Sequence, residues 1–147
     1  MELAVEAAEA AFEAAKTYFE KADGKNMISL EKALEIAEAG DSLILDIRSA
    51  EDYAKGHLKG AVNVPYLEMG GYIDQLPRDK TIAVVCNSGQ QSSQTVAVLI
   101  ASGFQALNVQ SGMNNGWNKA NLPPVSDQAA EPEKPAEPDK PAESAPV

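Results

Sequence analysis

The sequence predicts an α/β domain, a mainly parallel sheet flanked by helices on both faces, and three observations carry that expectation. Short apolar runs of strand character, Leu43 to Ile47, Ala61 to Val64, Thr81 to Val85 and Phe104 to Val109, alternate with segments of helical character. Leu43 to Ile47 is apolar apart from Asp46 near its end, the pattern of a strand covered on both faces. Thr81 to Val85 leads straight into Cys86, a short polar loop with one glycine, and an apolar-periodic helix that starts near Ser92. Such a strand-loop-helix unit is the building block of a parallel sheet.

The remaining elements follow in chain order. Residues 2–23 are alanine-rich, free of Gly and Pro, and helix-prone, with Leu3, Ala7, Ala8, Ala11, Phe12, Ala15, Tyr18 and Phe19 at spacings of three and four. This helix either packs its stripe on the main domain or uses it as a self-association seam that its alanines make weak. Ser29 caps a second helix, Leu30 to Ala39, stopped by Gly40. Ser49 and Asp52 resemble a capping box opening a short helix through Tyr53. Gly56 and Gly60 bracket a turn before the strand closed by Pro65, and a weaker helix is expected around Glu68 to Leu76. After the strand Phe104 to Val109, a last helix is expected over Gly112 to Ala120, and Leu122-Pro123-Pro124 closes the domain.

From Val125 the chain repeats an acidic, proline-containing unit with no aromatic residue, so a disordered tail or linker is expected there. The expected division is therefore an N-terminal helix over 1–24, a domain over 27–124 and a tail over 125–147.

The net charge of −10 sits mostly in the flanks, with six acids against two lysines in residues 1–24 and the same in residues 125–147. That acidity argues against a nucleic-acid partner. No apolar run approaches the roughly 20 residues of a membrane helix, and the first residues lack the basic-then-apolar order of a signal peptide. One cysteine and one histidine leave no cysteine framework and no zinc cluster, so no metal is expected.

Cys86 is the residue around which the chemistry is organised. A lone cysteine can be a small buried hydrophobe. Its position at the carboxyl end of a strand, facing a helix amino terminus, is also where loop amides and the helix dipole favour thiolate over thiol.

Three separated motifs in order carry a resemblance. Leu45-Asp46-Ile47-Arg48 is similar to a strand-end L-D-V-R, and Gly56-His57-Leu58-Lys59-Gly60-Ala61-Val62-Asn63-Val64-Pro65 to G-H-I-x-G-A-x-N-x-P. Gly103-Phe104 through Ser111-Gly112-Met113 to Trp117 is similar to a closing G-F-x-x-V-x-x-L-x-G-G-M-x-x-W, with Ser111 in place of one glycine. Over Met27 to Pro124 the chain resembles a single-domain rhodanese, of the sulfurtransferase family.

That resemblance implies a rhodanese-like fold and a sulfurtransferase that moves a sulfane sulfur through a persulfide on Cys86. The substrate cradle then falls on Asn87, Ser88, Gly89, Gln90 and Gln91, with Ser92 opening the helix. The implied partners are a small sulfur donor (thiosulfate, polysulfide or persulfide) and a thiol or cyanide-like acceptor, with no cofactor. Many active members resemble C-R-S-G-x-R-S, whereas this chain has Asn87 and Gln91 where those arginines stand. The cradle then relies on amides and the helix dipole, and a dianion such as thiosulfate is held less well. The alternative is a non-catalytic sulfur carrier or interaction module with weak turnover. Phosphatases on the same fold need C-x5-R, and Ser92 occupies that arginine's position, which argues against phosphoryl chemistry. Asp46, Arg48 and His57 are supporting candidates, read first as architecture; Phe104 and Trp117 read as core.

Overall fold

A computed structural model describes residues 2–21 and 23–116 of the chain. The expected tail, Trp117 and the end of the expected last helix lie outside the described residues. The elements run α1 (Glu2–Lys21), β1 (Met27–Ile28), α2 (Leu30–Glu38), β2 (Ser42–Asp46), α3 (Ala50–Lys55), β3 (Val62–Asn63), two 3-10 turns (Tyr66–Gly71 and Ile73–Gln75), β4 (Thr81–Val85), α4 (Gln90–Ala101), β5 (Gln105–Val109) and a π-helical turn (Gly112–Gly116). The five strands form one sheet in the order β1-β5-β4-β2-β3, and every neighbouring pair is parallel.

Strand alternation sorts the core into two layers. Along β4, Ile82, Val84 and then Cys86 point to the face covered by α4 and the 3-10 turns, where they meet Leu45, Ile47, Val96, Leu99 and Phe104. Ala83 and Val85 point the other way, towards Leu30, Ala33, Leu58 and Met113. Ile82, Ala83, Val84 and Val85 are all fully buried, each of the larger ones contributing about 1.5–3 kcal/mol of burial. With a helical layer on either face, β4 is the central strand, and its carboxyl end is a fixed platform.

The caps behave as their residues dictate. Ser29 Oγ accepts from Lys32 N at 3.2 Å, and Ser49 Oγ accepts from Asp52 N at 3.1 Å. In the second case only half of a reciprocal box forms, because the Asp52 carboxylate turns instead towards Asn87.

Four elements differ from expectation. β1 is two residues long, too short to show periodicity, and exists because Asn26 O and Ile28 O accept from Asn108 N and Gln110 N of the neighbouring strand. The strand Ala61 to Val64 shrinks to Val62–Asn63 at the sheet edge. The helix around Glu68 to Leu76 is replaced by two 3-10 turns, since Gly70 and Gly71 interrupt the segment and Pro65 and Pro77 bound it. Gly112 opens a π-helical turn rather than an α-helix.

Helix α1 lies against α4, yet among its residues 4–21, whose burial is described, all are exposed except Ala14 and Tyr18, which are half-buried. Val5, Phe12 and Phe19 remain 56%, 67% and 74% exposed. The stripe therefore divides: one edge touches the domain and the other faces solvent.

Candidate active site

Cys86 follows the last residue of β4, and its residue is only 2% exposed. The chain then reverses through Asn87, Ser88 and Gly89, whose φ of +89° admits glycine readily and a side chain only with strain. α4 begins at Gln90, two residues before the sequence reading placed it, so Ser92 lies within the first turn rather than opening it.

The turn bends the loop amides back onto the sulfur. Gly89 N donates to Cys86 Sγ at 3.1 Å and Ser92 N at 3.4 Å. The Ser92 hydroxyl lies 3.3 Å from Sγ and 2.6 Å from Asn108 Oδ1: it accepts from the neutral thiol while donating to Asn108, and once Cys86 ionises its rotatable proton turns to donate to the sulfur instead. Ser92 and Asn108 are both buried. Burial pushes the Cys86 thiol up, but the Ser92 hydroxyl and the amides of Ser92, Ser88 and Gly89 outweigh it and hold the thiol below its ordinary value. Hydrogen bonds to the thiolate thus replace a neighbouring cation as the activating influence.

A second set of contacts fixes the loop from outside. Met113 N donates to Cys86 O and Asn114 N to Asn87 O, both at 2.8 Å. This docking brings the backbone of Gly112 so close that a Cβ there would fall 2.3 Å from Cys86 O and 2.6 Å from Asn87 O. Gly112 is therefore required by close approach as well as by its φ of +53°.

The other candidates divide by location. Ser88 Oγ accepts from Gln90 N at 3.4 Å, while Gln90 and Gln91 are exposed on the first turn of α4. Asn87 Nδ2 donates to Asp52 Oδ2 at 3.3 Å. Asp46 and Arg48, at the end of the adjacent strand, form a buried ion pair: Arg48 Nη2 meets Asp46 Oδ2 at 2.7 Å and Nε meets Oδ1 at 3.0 Å. Arg48 also donates to Gly56 O at 2.8 Å and Asp52 O at 3.3 Å, so its guanidinium knits the loop between β2 and β3 together. His57 is buried, stacked on Tyr53 at 3.6 Å between ring centroids, with Nδ1 2.8 Å from Tyr53 O. A polar hollow beside the loop is lined by Arg48, Asp52, Lys55, Asn87, Met113 and Asn114.

Sequence reasoning overlooked Asn108, Asp52 as a partner of the loop, and the docking of Gly112 to Asn114. Asn108 left one signal, a polar residue inside the strand run Gln105-Ala106-Leu107-Asn108-Val109. The other two arise from contacts that sequence distance hides.

The structure is thus a parallel α/β domain whose central strand ends in a cysteine held by helix-start amides. Residues 29–120 match the rhodanese-like domain family. The chain belongs to that family. It is 29% identical over 94 residues to thiosulfate sulfurtransferase GlpE of Shewanella oneidensis, covering 64% of this chain and 93% of that protein. It is 33% identical over 94 residues to YrkF of Bacillus subtilis, a proposed sulfur carrier protein, covering 63% of this chain but only 51% of that longer protein. Among solved structures, a rhodanese-like domain protein from Staphylococcus aureus superposes with a TM-score of 0.59 at 25% identity, covering 69% of this chain and 99% of that one.

Proposed function

We propose that this protein is a sulfurtransferase that carries sulfane sulfur on Cys86. The observation that supports it most directly is the convergence of the Gly89 and Ser92 amides and the Ser92 hydroxyl on Sγ, which favours the thiolate that must attack. The thiolate attacks the outer sulfur of a donor; a new S–S bond forms as the donor's own bond to that sulfur breaks. The leaving group departs with the electron pair, as sulfite from thiosulfate or as a thiolate from a persulfide or polysulfide. The terminal sulfur of the Cys86 persulfide is anionic, and amides of the loop from Asn87 to Gln91 and the first turn of α4 provide its counter-dipole. A thiol or cyanide-like nucleophile then takes that outer sulfur, and Cys86 leaves as thiolate. Oxidation and reduction balance within the transfer.

The mass of the intact protein after exposure to polysulfide or thiosulfate tests this: one sulfur atom is added, and Cys86→Ala abolishes the addition. Absence of an adduct with every donor overturns the reading.

A second reading, a carrier or interaction module that loads sulfur but turns over poorly, draws on Asn87 and Gln91. Neither supplies a charge to a dianionic donor, and Asn87 is already engaged by Asp52. Loading without multiple turnover, in the presence of a thiol acceptor, distinguishes it.

A further inference from the structure

The exposed edge of α1 carries a pattern that its contact with the domain does not use. Val5, Phe12 and Phe19 recur every seven residues, with Ala8 and Ala15 between them, so they occupy alternating positions of a heptad seam. The half-buried residues Ala14 and Tyr18 lie on a different stripe, the one against α4. Adjacent residues on a helix point about 100° apart, so the Val5-Phe12-Phe19 row is turned roughly 100° from Tyr18 and roughly 160° from Ala14. A row with two of its three large members aromatic and more than half exposed is what two helices bury between them, and a single chain does not.

Charge selects both the occupant and its direction. The residues flanking this seam on the solvent side recur at 2, 9 and 16; within its middle they are Glu9 and Lys16, one heptad apart and both exposed. On the domain side the flanking positions are Ala4, Ala11 and Tyr18, which carry no charge. In a parallel pair of α1 helices, flanking residues of one side face those of the other side, so Glu9 and Lys16 would meet alanines. In an antiparallel pair, like flanks face each other, and Glu9 of each copy meets Lys16 of the other. Phe12 then packs over Ala15 of the second copy, and Phe19 over Ala8, so both aromatic side chains are received by small ones. The arrangement is also open to the rest of the molecule. α1 touches its own domain through its second half, so the two domains sit at opposite ends of a pair about 30 Å long.

We propose that a second copy of this chain docks on α1, forming an antiparallel two-helix dimer along Val5, Ala8, Phe12, Ala15 and Phe19 with reciprocal Glu9–Lys16 ion pairs. The surface acidity of this segment disfavours an anionic membrane as the occupant of the same face.

Sedimentation equilibrium on the full chain across a concentration series, at low and high salt, tests the proposal. The expected mass approaches twice the 15.5 kDa of the chain at both salt concentrations, since the seam itself is apolar. Phe12→Glu holds the protein at monomer mass, with circular dichroism confirming that it folds. Glu9→Lys and Lys16→Glu each weaken association at least several-fold, and the double variant E9K/K16E restores it, because reciprocal pairs re-form with exchanged sign. A monomer at every concentration overturns the proposal, as does a trimer or larger assembly. Single charge reversals without effect overturn the antiparallel arrangement. A monomer that binds anionic vesicles through the same face overturns it in favour of a membrane-surface role.

Discussion

Asn87 Nδ2 donates to Asp52 Oδ2 at 3.3 Å, which ties the residue after Cys86 to helix α3. That hydrogen bond is also the main influence holding the Asp52 carboxyl below the usual carboxylate range, with Lys55 and Arg48 adding to it. The charge at the rim of the loop is thus a balance of this carboxylate against Lys55 and Arg48, which line the same hollow.

Gln91, exposed on the first turn of α4, is the place to change that balance. Gln91→Arg adds a charge-assisted hydrogen bond to a dianionic donor, an effect of about 1.5–3 kcal/mol. Thiosulfate turnover, as kcat/KM, rises about tenfold or more, while polysulfide turnover changes much less. Steady-state rates with both donors measure the difference. Equal change with both, or none, means that the missing charge does not limit the reaction.

The hydrogen bonds on Cys86 give the site a characteristic pH dependence. Because they hold the folded thiol below its ordinary value, the alkylation rate reaches its thiolate plateau at a lower pH than a free cysteine does. Ser92→Ala removes the hydroxyl and moves that profile upward. The linked effect on stability has a definite sign. Between the lowered folded value and the ordinary thiol value, the unfolded chain binds more protons than the folded one, so Cys86 contributes stability that grows as pH rises through this window and fades as it falls. Urea denaturation of the wild type and Cys86→Ala across neutral to alkaline pH shows the gap between them widening upward; a gap that narrows contradicts the assignment.

Much of this was legible in the sequence, for identifiable reasons. Apolar runs such as Thr81 to Val85 announce strands because both faces of a central parallel strand are buried, and Ser29 and Ser49 announce helix starts because their hydroxyls have one local task. The fold class and the cysteine loop follow from such local signals. What stayed hidden is carried by long-range contacts: β1 exists only through β5, and Asn108 reaches Ser92 across the sheet. Ala8, Phe12, Ala15 and Phe19 of the outward row of α1 were visible as periodicity and Val5 was not, and which edge faced the domain was decided by α4, a question that spacing alone leaves open.

Gly112 is the position where the loop tolerates least. A methyl group there collides with backbone rather than with a yielding side chain, 2.3 Å from Cys86 O. Gly112→Ala therefore displaces either the π-helical turn or the cysteine loop, breaking the hydrogen bonds from Met113 and Asn114. Persulfide loading falls by tenfold or more, and stability drops by about 2–4 kcal/mol, the range expected when strain and lost hydrogen bonds combine. Sulfur incorporation by mass spectrometry and urea midpoints report the two effects separately.

The Asp46–Arg48 pair makes a different demand. Both groups are buried, and Asp46→Ala leaves the Arg48 guanidinium without its anion, a loss of about 3–5 kcal/mol. Replacing both, as D46L/R48M, costs less than the single change because no unpaired charge remains, although the carbonyls of Gly56 and Asp52 lose their donor. Denaturant unfolding of the two variants ranks them. A single variant more stable than the double one shows that Arg48 is held chiefly by those carbonyls.

Ser111 offers the opposite case, a residue the fold accepts at a cost. It stands where the closing motif that this stretch resembles has glycine, and it has a φ of +67°, the left-handed region in which a side chain crowds the following carbonyl. The conformation is imposed from outside: the backbone of Ser111 lies against Gly89, where a Cβ would come within 3.1 Å of Ser111 N, and the next residue is locked under the cysteine loop. The left-handed penalty is about 1–2 kcal/mol, and glycine gives back about 0.5–1 kcal/mol of it through its larger unfolded entropy. Ser111→Gly therefore stabilises the protein by about 0.5–1 kcal/mol. Because the backbone path is unchanged, sulfur loading on Cys86 stays at its original level. Urea unfolding reads the first effect and intact mass the second. Lower stability in the glycine variant shows that the Ser111 side chain contributes more than its backbone strain costs.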